Sequence, residues 1–164
     1  MEPVITHLPS RTLVGLETPF ISALSDSKTN MAVIPDLWRR FNERQGEIRQ
    51  RAGDAAYGMI SCTEEEAREE TMRYLAGVEV RPASSDLPDD MVVRILPEGL
   101  YAIFTHKGPV STFDATIRHV YSEWLPKSGY RRVKGPEFEV YDARFKGESP
   151  ESEFEYAIPV GPTA

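Results

Sequence analysis

The chain has 164 residues, 40% of them hydrophobic, with 13 prolines, 11 glycines and one cysteine, which suits a single domain over residues 1–164 with a sizeable core. Its 26 acidic and 19 basic residues give a net charge of −7, which opposes the counterion release that drives nucleic-acid binding, so no nucleic-acid partner is expected. The lone Cys62 excludes a disulfide framework and a thiolate zinc cluster, and no apolar run approaches the roughly 20 residues of a membrane span, so a reducing, cytoplasmic setting is expected.

In chain order, residues from Val4 to about Ile21 mix Val, Ile, Leu, Thr and Phe and predict a first strand. Ile34, Leu37, Trp38, Phe41 and Ile48 recur at helical spacing, with Arg39, Arg40, Glu43, Arg44 and Glu47 between them. That pattern predicts an amphipathic helix over roughly 31–51, with Pro35 in its first turn. Ala56 to Cys62 and Thr71 to Val80 read as strands, and the acidic stretch Glu64 to Glu70 between them as a solvated loop. Cys62 is expected to act as a small buried hydrophobe.

Arg81 to Asp90, with Pro82, Ser84, Ser85, Asp86 and Pro88, reads as a connection between halves. Met91 to Thr105 then predicts a strand. A helix follows from Ser111, whose hydroxyl could cap it while Asp114 favours its positive end, to about Trp124. Its apolar stripe is Phe113, Ile117, Val120, Tyr121 and Trp124, and Pro126 and Gly129 end it. Phe138 to Ala143 and Phe154 to Val160 predict the last strands. Pseudo-repeats of about 1–82 and 90–162 thus share the order strand, helix, strand, strand. The expected fold is α+β, two antiparallel sheet halves of duplicated repeats, with helices on one side and a central ligand cleft on the other.

Tyr74 to Val80 can be laid on Phe154 to Val160, which sets Leu75 against Glu155. A position apolar in one copy and carboxylic in the other can give a pseudo-symmetric cleft asymmetric chemistry. Alternation puts Glu155, Ala157 and Pro159 on one face of the strand and Phe154, Tyr156 and Ile158 on the other. If the second set faces the helices, Glu155 faces the cleft.

Arg11-Thr12-Leu13-Val14-Gly15, Ile34-Pro35-Asp36-Leu37-Trp38 with Phe41, and Tyr57-Gly58 resemble the first half of GyrI-like domains. His106-Lys107-Gly108-Pro109, Trp124-Leu125-Pro126 with Ser128-Gly129-Tyr130, Pro136-Glu137-Phe138-Glu139-Val140-Tyr141, and Glu155 ahead of Pro159-Val160 follow in that family's order. This is the effector-binding fold also found in some AraC-type and MerR-type regulators, and the chain is expected to be a stand-alone member. The resemblance implies a ligand cleft lined by aromatics around an acidic residue, to which Glu155 corresponds.

On this reading the ligand is a hydrophobic, cationic or planar small molecule. Glu155 is its counter-charge, Trp38, Tyr101, Trp124 and Tyr141 are candidate walls, and the role is sensing or sequestration. Two other readings stand beside it. One is a hydrolase that opens strained cyclopropane-bearing toxins, with Glu155 as general base and Tyr141 or Tyr101 assisting. The other is a protein-interaction role with DNA gyrase as the partner. His7, His106 and His119 are scattered, so no metal site is expected, and no phosphate-loop, dinucleotide or nucleophile-elbow motif calls for a cofactor. A structural, hydrogen-bonding role is expected for His106.

Overall fold

The computed structural model describes residues 1–22, 25–26, 28–82 and 86–163. The Arg81–Asp90 connection is therefore described only in part, and Ser84 and Ser85 lie outside the described residues. The first expected strand is two, β1 (Val4–Leu8) and β2 (Arg11–Ile21), because Pro9 cannot donate to a ladder. Helix α1 (Asn30–Arg44) buries Leu37 and Phe41. It starts early enough to place Pro35 in its second turn, and it stops at Arg44, ahead of the expected end. Arg39 and Arg40 pair with Asp36 on its solvent side.

Strand β3 (Arg51–Ser61) begins before the expected Ala56, with a register shift between Arg51 and Ala56 at Gly53, whose φ is +86°. The acidic stretch is not a loop throughout, since α2 (Glu64–Arg68) forms there. Thr63 caps it by accepting from the Glu66 N–H, and three glutamates occupy its positive first turn. Cys62, just before it, is exposed and not buried as expected. Strand β4 (Thr71–Val80) follows.

The second half repeats the surprise of the first. Met91 to Thr105 divides into β5 (Val92–Leu96) and β6 (Gly99–Lys107), separated by Pro97 and Glu98. Helix α3 (Phe113–His119) continues through a π-helical turn at Val120–Trp124 into α4 (Leu125–Lys127). Ser111 caps nothing; its hydroxyl donates to Glu148 at 2.7 Å. His106 is buried, with Nδ1 2.7 Å from the Thr116 hydroxyl and Nε2 3.1 Å from the Pro109 carbonyl, which ties the end of β6 to α3. β7 (Tyr130–Arg132), β8 (Glu137–Tyr141) and β9 (Glu153–Pro162) complete the chain.

All pairings are antiparallel, in the order β1-β6-β9-β8-β3-β4-β2-β5, with β7 beside β9. The order β2-α1-β3-β4 is echoed by β6-α3-β8-β9, and the two sets meet along β3 and β8. Each set lends its leading strand to the other, β1 to β6 and β5 to β2. The links Pro9-Ser10 and Pro97-Glu98 therefore each join strands at opposite ends of the sheet. Two residues span only about 10 Å, so the sheet must curl into a half-barrel.

Curling divides the apolar residues by face. Leu13, Tyr57, Met59, Leu75, Tyr101 and Phe138 fill the concave inside. Outside, Val14, Tyr74, Ala76 and Val78 pack under α1, and Phe104, Tyr156 and Ile158 pack under α3. The result is the α+β class with both helices on one side of the sheet. The inside is solid core, so the cleft expected there is displaced to the helix side. Among the described residues no helix is long and apolar enough to cross a membrane.

Candidate functional site

Between α1 and α3 lies a cavity of about 1190 Å³ whose floor is the seam of β3 and β8. Its size exceeds the common range of small-molecule pockets, roughly 300–1,000 Å³. Ala56 and Ile60 of β3 face it, and so do Glu137, Glu139 and Tyr141 of β8. The registers explain the contrast between the two strands. Gly58 opposes Ala76 on β4, and Glu139 opposes Tyr156 on β9. Under the alignment of β4 with β9, Gly58 and Glu139 are equivalent, and they also pair with each other. The pseudo-twofold therefore passes between a glycine and a glutamate.

Glu139 is only 4% exposed. Its Oε1 accepts from the Tyr74 hydroxyl at 2.6 Å and from the Tyr141 hydroxyl at 2.7 Å, and Tyr74 in turn accepts from the Trp38 indole at 2.9 Å. Among the described residues no cation pairs with it. Burial pushes its pKa up to about 7 despite the two phenol bonds, which act downward. Burial also holds the Tyr74 and Tyr141 phenols well above their ordinary values, so both stay protonated and donate. Gly58 makes the cluster possible. A Cβ there would lie 2.1 Å from the Tyr74 hydroxyl oxygen and 2.7 Å from Glu139 Oε1.

Glu137 is arranged differently. Tyr156 donates to its Oε1 at 2.7 Å, and its Oε2 receives Tyr121 at 2.5 Å and Arg132 at 3.4 Å. The aromatic walls include Trp38, edge-on to Tyr141 at 5.4 Å, and Phe145, edge-on to Tyr141 at 4.7 Å.

Of the residues singled out from sequence, Trp38 and Tyr141 line this cavity together. Tyr101 points to the inside of the half-barrel and donates to the Pro97 carbonyl. Trp124 packs edge-on to Phe104 at 5.1 Å and stacks on Tyr130, away from the cavity. Glu155 sits opposite Val140 on the concave side and bonds Arg144 at 2.7 Å. The alternation along β9 is as expected, with Phe154, Tyr156 and Ile158 toward the helices. The cavity lies on that same side, however, so Glu155 faces away from it. Glu137, Glu139, Tyr74 and Tyr121 were not singled out. The signal for the two glutamates was the alternation Glu137, Glu139, Tyr141 against Phe138 and Val140 in one strand.

The profile of the GyrI-like small molecule binding domain family matches residues 1–160. The chain belongs to that family. It is 33% identical over 162 residues to the transcriptional regulator BrlR of Pseudomonas aeruginosa, a match covering 98% of this chain and 56% of the regulator. This GyrI-like chain thus spans about half the length of that relative. SAV2435, solved bound to tetraphenylphosphonium, has the same fold, with a TM-score of 0.77 at 19% identity over 98% of this chain and 94% of SAV2435. The C-terminal domain of EcmrR matches with a TM-score of 0.67 at 13% identity, over 99% of this chain and 98% of that domain. The family is described as small molecule binding, and the residues that line the cavity between α1 and α3 fall within the matched range.

Proposed function

We propose that the cavity binds hydrophobic cations of aromatic or planar build, with Glu139 as counter-charge and Trp38, Tyr74 and Tyr141 as walls, in a sensing or sequestering role. The observation that carries this reading is a buried carboxylate facing a large cavity without a cation of its own. Such a group is costly to ionise in a dry site, and a bound cation offsets that cost while ring faces attract the same charge. The lipophilic cation bound by SAV2435, a protein of the same fold, supports the ligand class.

Tetraphenylphosphonium does not titrate, so any pH dependence of its binding belongs to the protein. With Glu139 at about 7, the carboxylate is mostly protonated near pH 6 and mostly charged near pH 8. Affinity for the phosphonium should then rise about tenfold over that interval, while a neutral aromatic of similar size stays level. Thermal shift at both pH values reads this, because a ligand of the native state stabilises by RT ln(1 + [L]/Kd). Equal behaviour of the two compounds would remove Glu139 from the role. Glu155→Gln, on the far side of the sheet, should leave the phosphonium Kd within about twofold.

A second reading, hydrolysis, is favoured by one feature, a carboxyl that can exchange a proton near neutrality while held between two phenols. In that case bound ligand would be converted to a hydrated product, and Glu139→Gln would bind without turnover. Mass spectrometry of the incubated ligand separates this from binding alone.

A further inference from the structure

The two carboxylates of the cavity floor differ in what already holds them. Glu137 is ion-paired with Arg132, whose side chain is 28% exposed against 12% for the glutamate. The guanidinium is fixed from four directions. Nε donates to the Tyr121 hydroxyl at 2.9 Å, Nη1 to the Val133 carbonyl at 2.7 Å, and Nη2 to the Gly135 carbonyl at 3.1 Å and to Glu137. Arginine does not lose its proton in a protein, so this end of the floor carries a permanent positive charge beside the negative one. Glu139 has only the neutral phenols of Tyr74 and Tyr141.

The other acids around the cavity do not change this balance. Glu64 pairs with Lys134, and Asp142 with Arg144. Asp54 and Asp114 are exposed or half-buried, where water and salt screen them.

Building on the counter-charge reading above, we infer that the cavity accepts ligands with one positive charge and discriminates against those with two, because Arg132 occupies Glu137 and leaves Glu139, among the described residues, as the cavity's one buried carboxylate without a cationic partner. A second positive centre placed along β8 meets the partly buried Arg132, and like charges repel there. The ligand's charged end therefore lies toward α1 and its neutral end toward α3.

Three rod-shaped compounds of one outline test this: 4,4′-dimethylbiphenyl, which is neutral; 1-methyl-4-(4-methylphenyl)pyridinium, with one charge; and methyl viologen, with two. The two charges of methyl viologen lie about as far apart as residues i and i+2 of a strand, roughly 7 Å. Dissociation constants near pH 8 should rank the monocation tightest and the dication at least about tenfold weaker. Arg132→Gln, which keeps a donor toward Glu137 but removes the charge, should close the gap to within about threefold by strengthening the dication. Arg132→Lys should preserve the gap.

A dication as tight as the monocation in the unmodified protein overturns the inference, whether or not a variant folds. So does a gap that Arg132→Gln leaves unchanged while affinity for the neutral compound shows its cavity intact. A monocation no tighter than the neutral compound is a different result, since it overturns the counter-charge reading itself.

Discussion

Replacing Glu139 by glutamine is expected to weaken binding of a lipophilic monocation by about thirtyfold to a hundredfold, with a neutral aromatic changed by no more than about twofold. A charge-assisted contact in a buried site is worth about 2–3 kcal/mol, and each 1.4 kcal/mol is a factor of ten. The substitution is conservative in every other respect. A glutamine Oε1 still accepts from Tyr74 and Tyr141, which donate to that atom in Glu139, so the phenols and the Trp38 contact behind them keep their positions. Isothermal titration with both compounds reads the selectivity directly. An equal loss for the two would mean that the substitution damaged the walls and not the charge.

The same substitution should stabilise the empty protein, and the sign follows from linkage. Burial raises the Glu139 pKa from 4.5 in the unfolded chain to about 7 in the fold. Between those values the native state holds a proton that the unfolded state has lost, so stability from this group is fully present at low pH and falls as pH rises through about 7. The interval corresponds to about 3 kcal/mol. Glutamine has no such dependence, so the variant's advantage should appear near pH 8 and vanish toward pH 5. Urea melts at the two pH values measure it. The unliganded protein thus gives up stability at the position where it would hold a cation.

The second large effect is expected at Gly58. An alanine there would place its Cβ 2.1 Å from the Tyr74 hydroxyl oxygen and 2.7 Å from Glu139 Oε1. Tyr74 cannot retreat easily, because it is fully buried and meets Phe20 and Trp38 edge-on at 6.1 and 6.3 Å. Relief must come from breaking the Tyr74–Glu139 bond or shifting the seam between β3 and β8. Overpacking and a lost buried hydrogen bond together should cost about 2–4 kcal/mol. Cation affinity should fall at least about tenfold through the displaced carboxylate. Gly46→Ala is the control, since a Cβ there meets nothing within 4 Å. A Gly58→Ala protein with unchanged melting and unchanged binding would show that the cluster has slack the geometry does not suggest.

The helices and the central strands were legible in the sequence because their signals are local. Leu37 and Phe41 recur at helical spacing, and β4 and β9 align residue by residue. The split of β1 from β2 and of β5 from β6 was missed because each break is two residues long and apolar residues continue on both sides. Only the partner strands reveal that the chain changes ends of the sheet there. The cavity was harder for a related reason. Trp38 and Tyr141 were legible as aromatics, and Glu155 was correctly assigned to the face opposite Phe154, Tyr156 and Ile158. Which face carries the cleft depends on the curl of the whole sheet, and that depends on contacts between residues as distant as Val4 and Ile103. The carboxylates that do face the cavity sat in a quoted motif, but their number and sign alone did not distinguish a floor from a solvated edge.

The exchange of leading strands has a consequence for how the chain reaches its native state. Neither half can complete its own sheet, since β6 needs β1 from the first half and β2 needs β5 from the second. Folding must therefore close loops of great sequence separation before either half gains its full set of ladders, which favours a slow and highly cooperative transition over stepwise assembly of two modules. A cut in the connection between the halves would leave them interlocked like clasped hands, and each half made separately would expose a strand edge that fits another copy of itself.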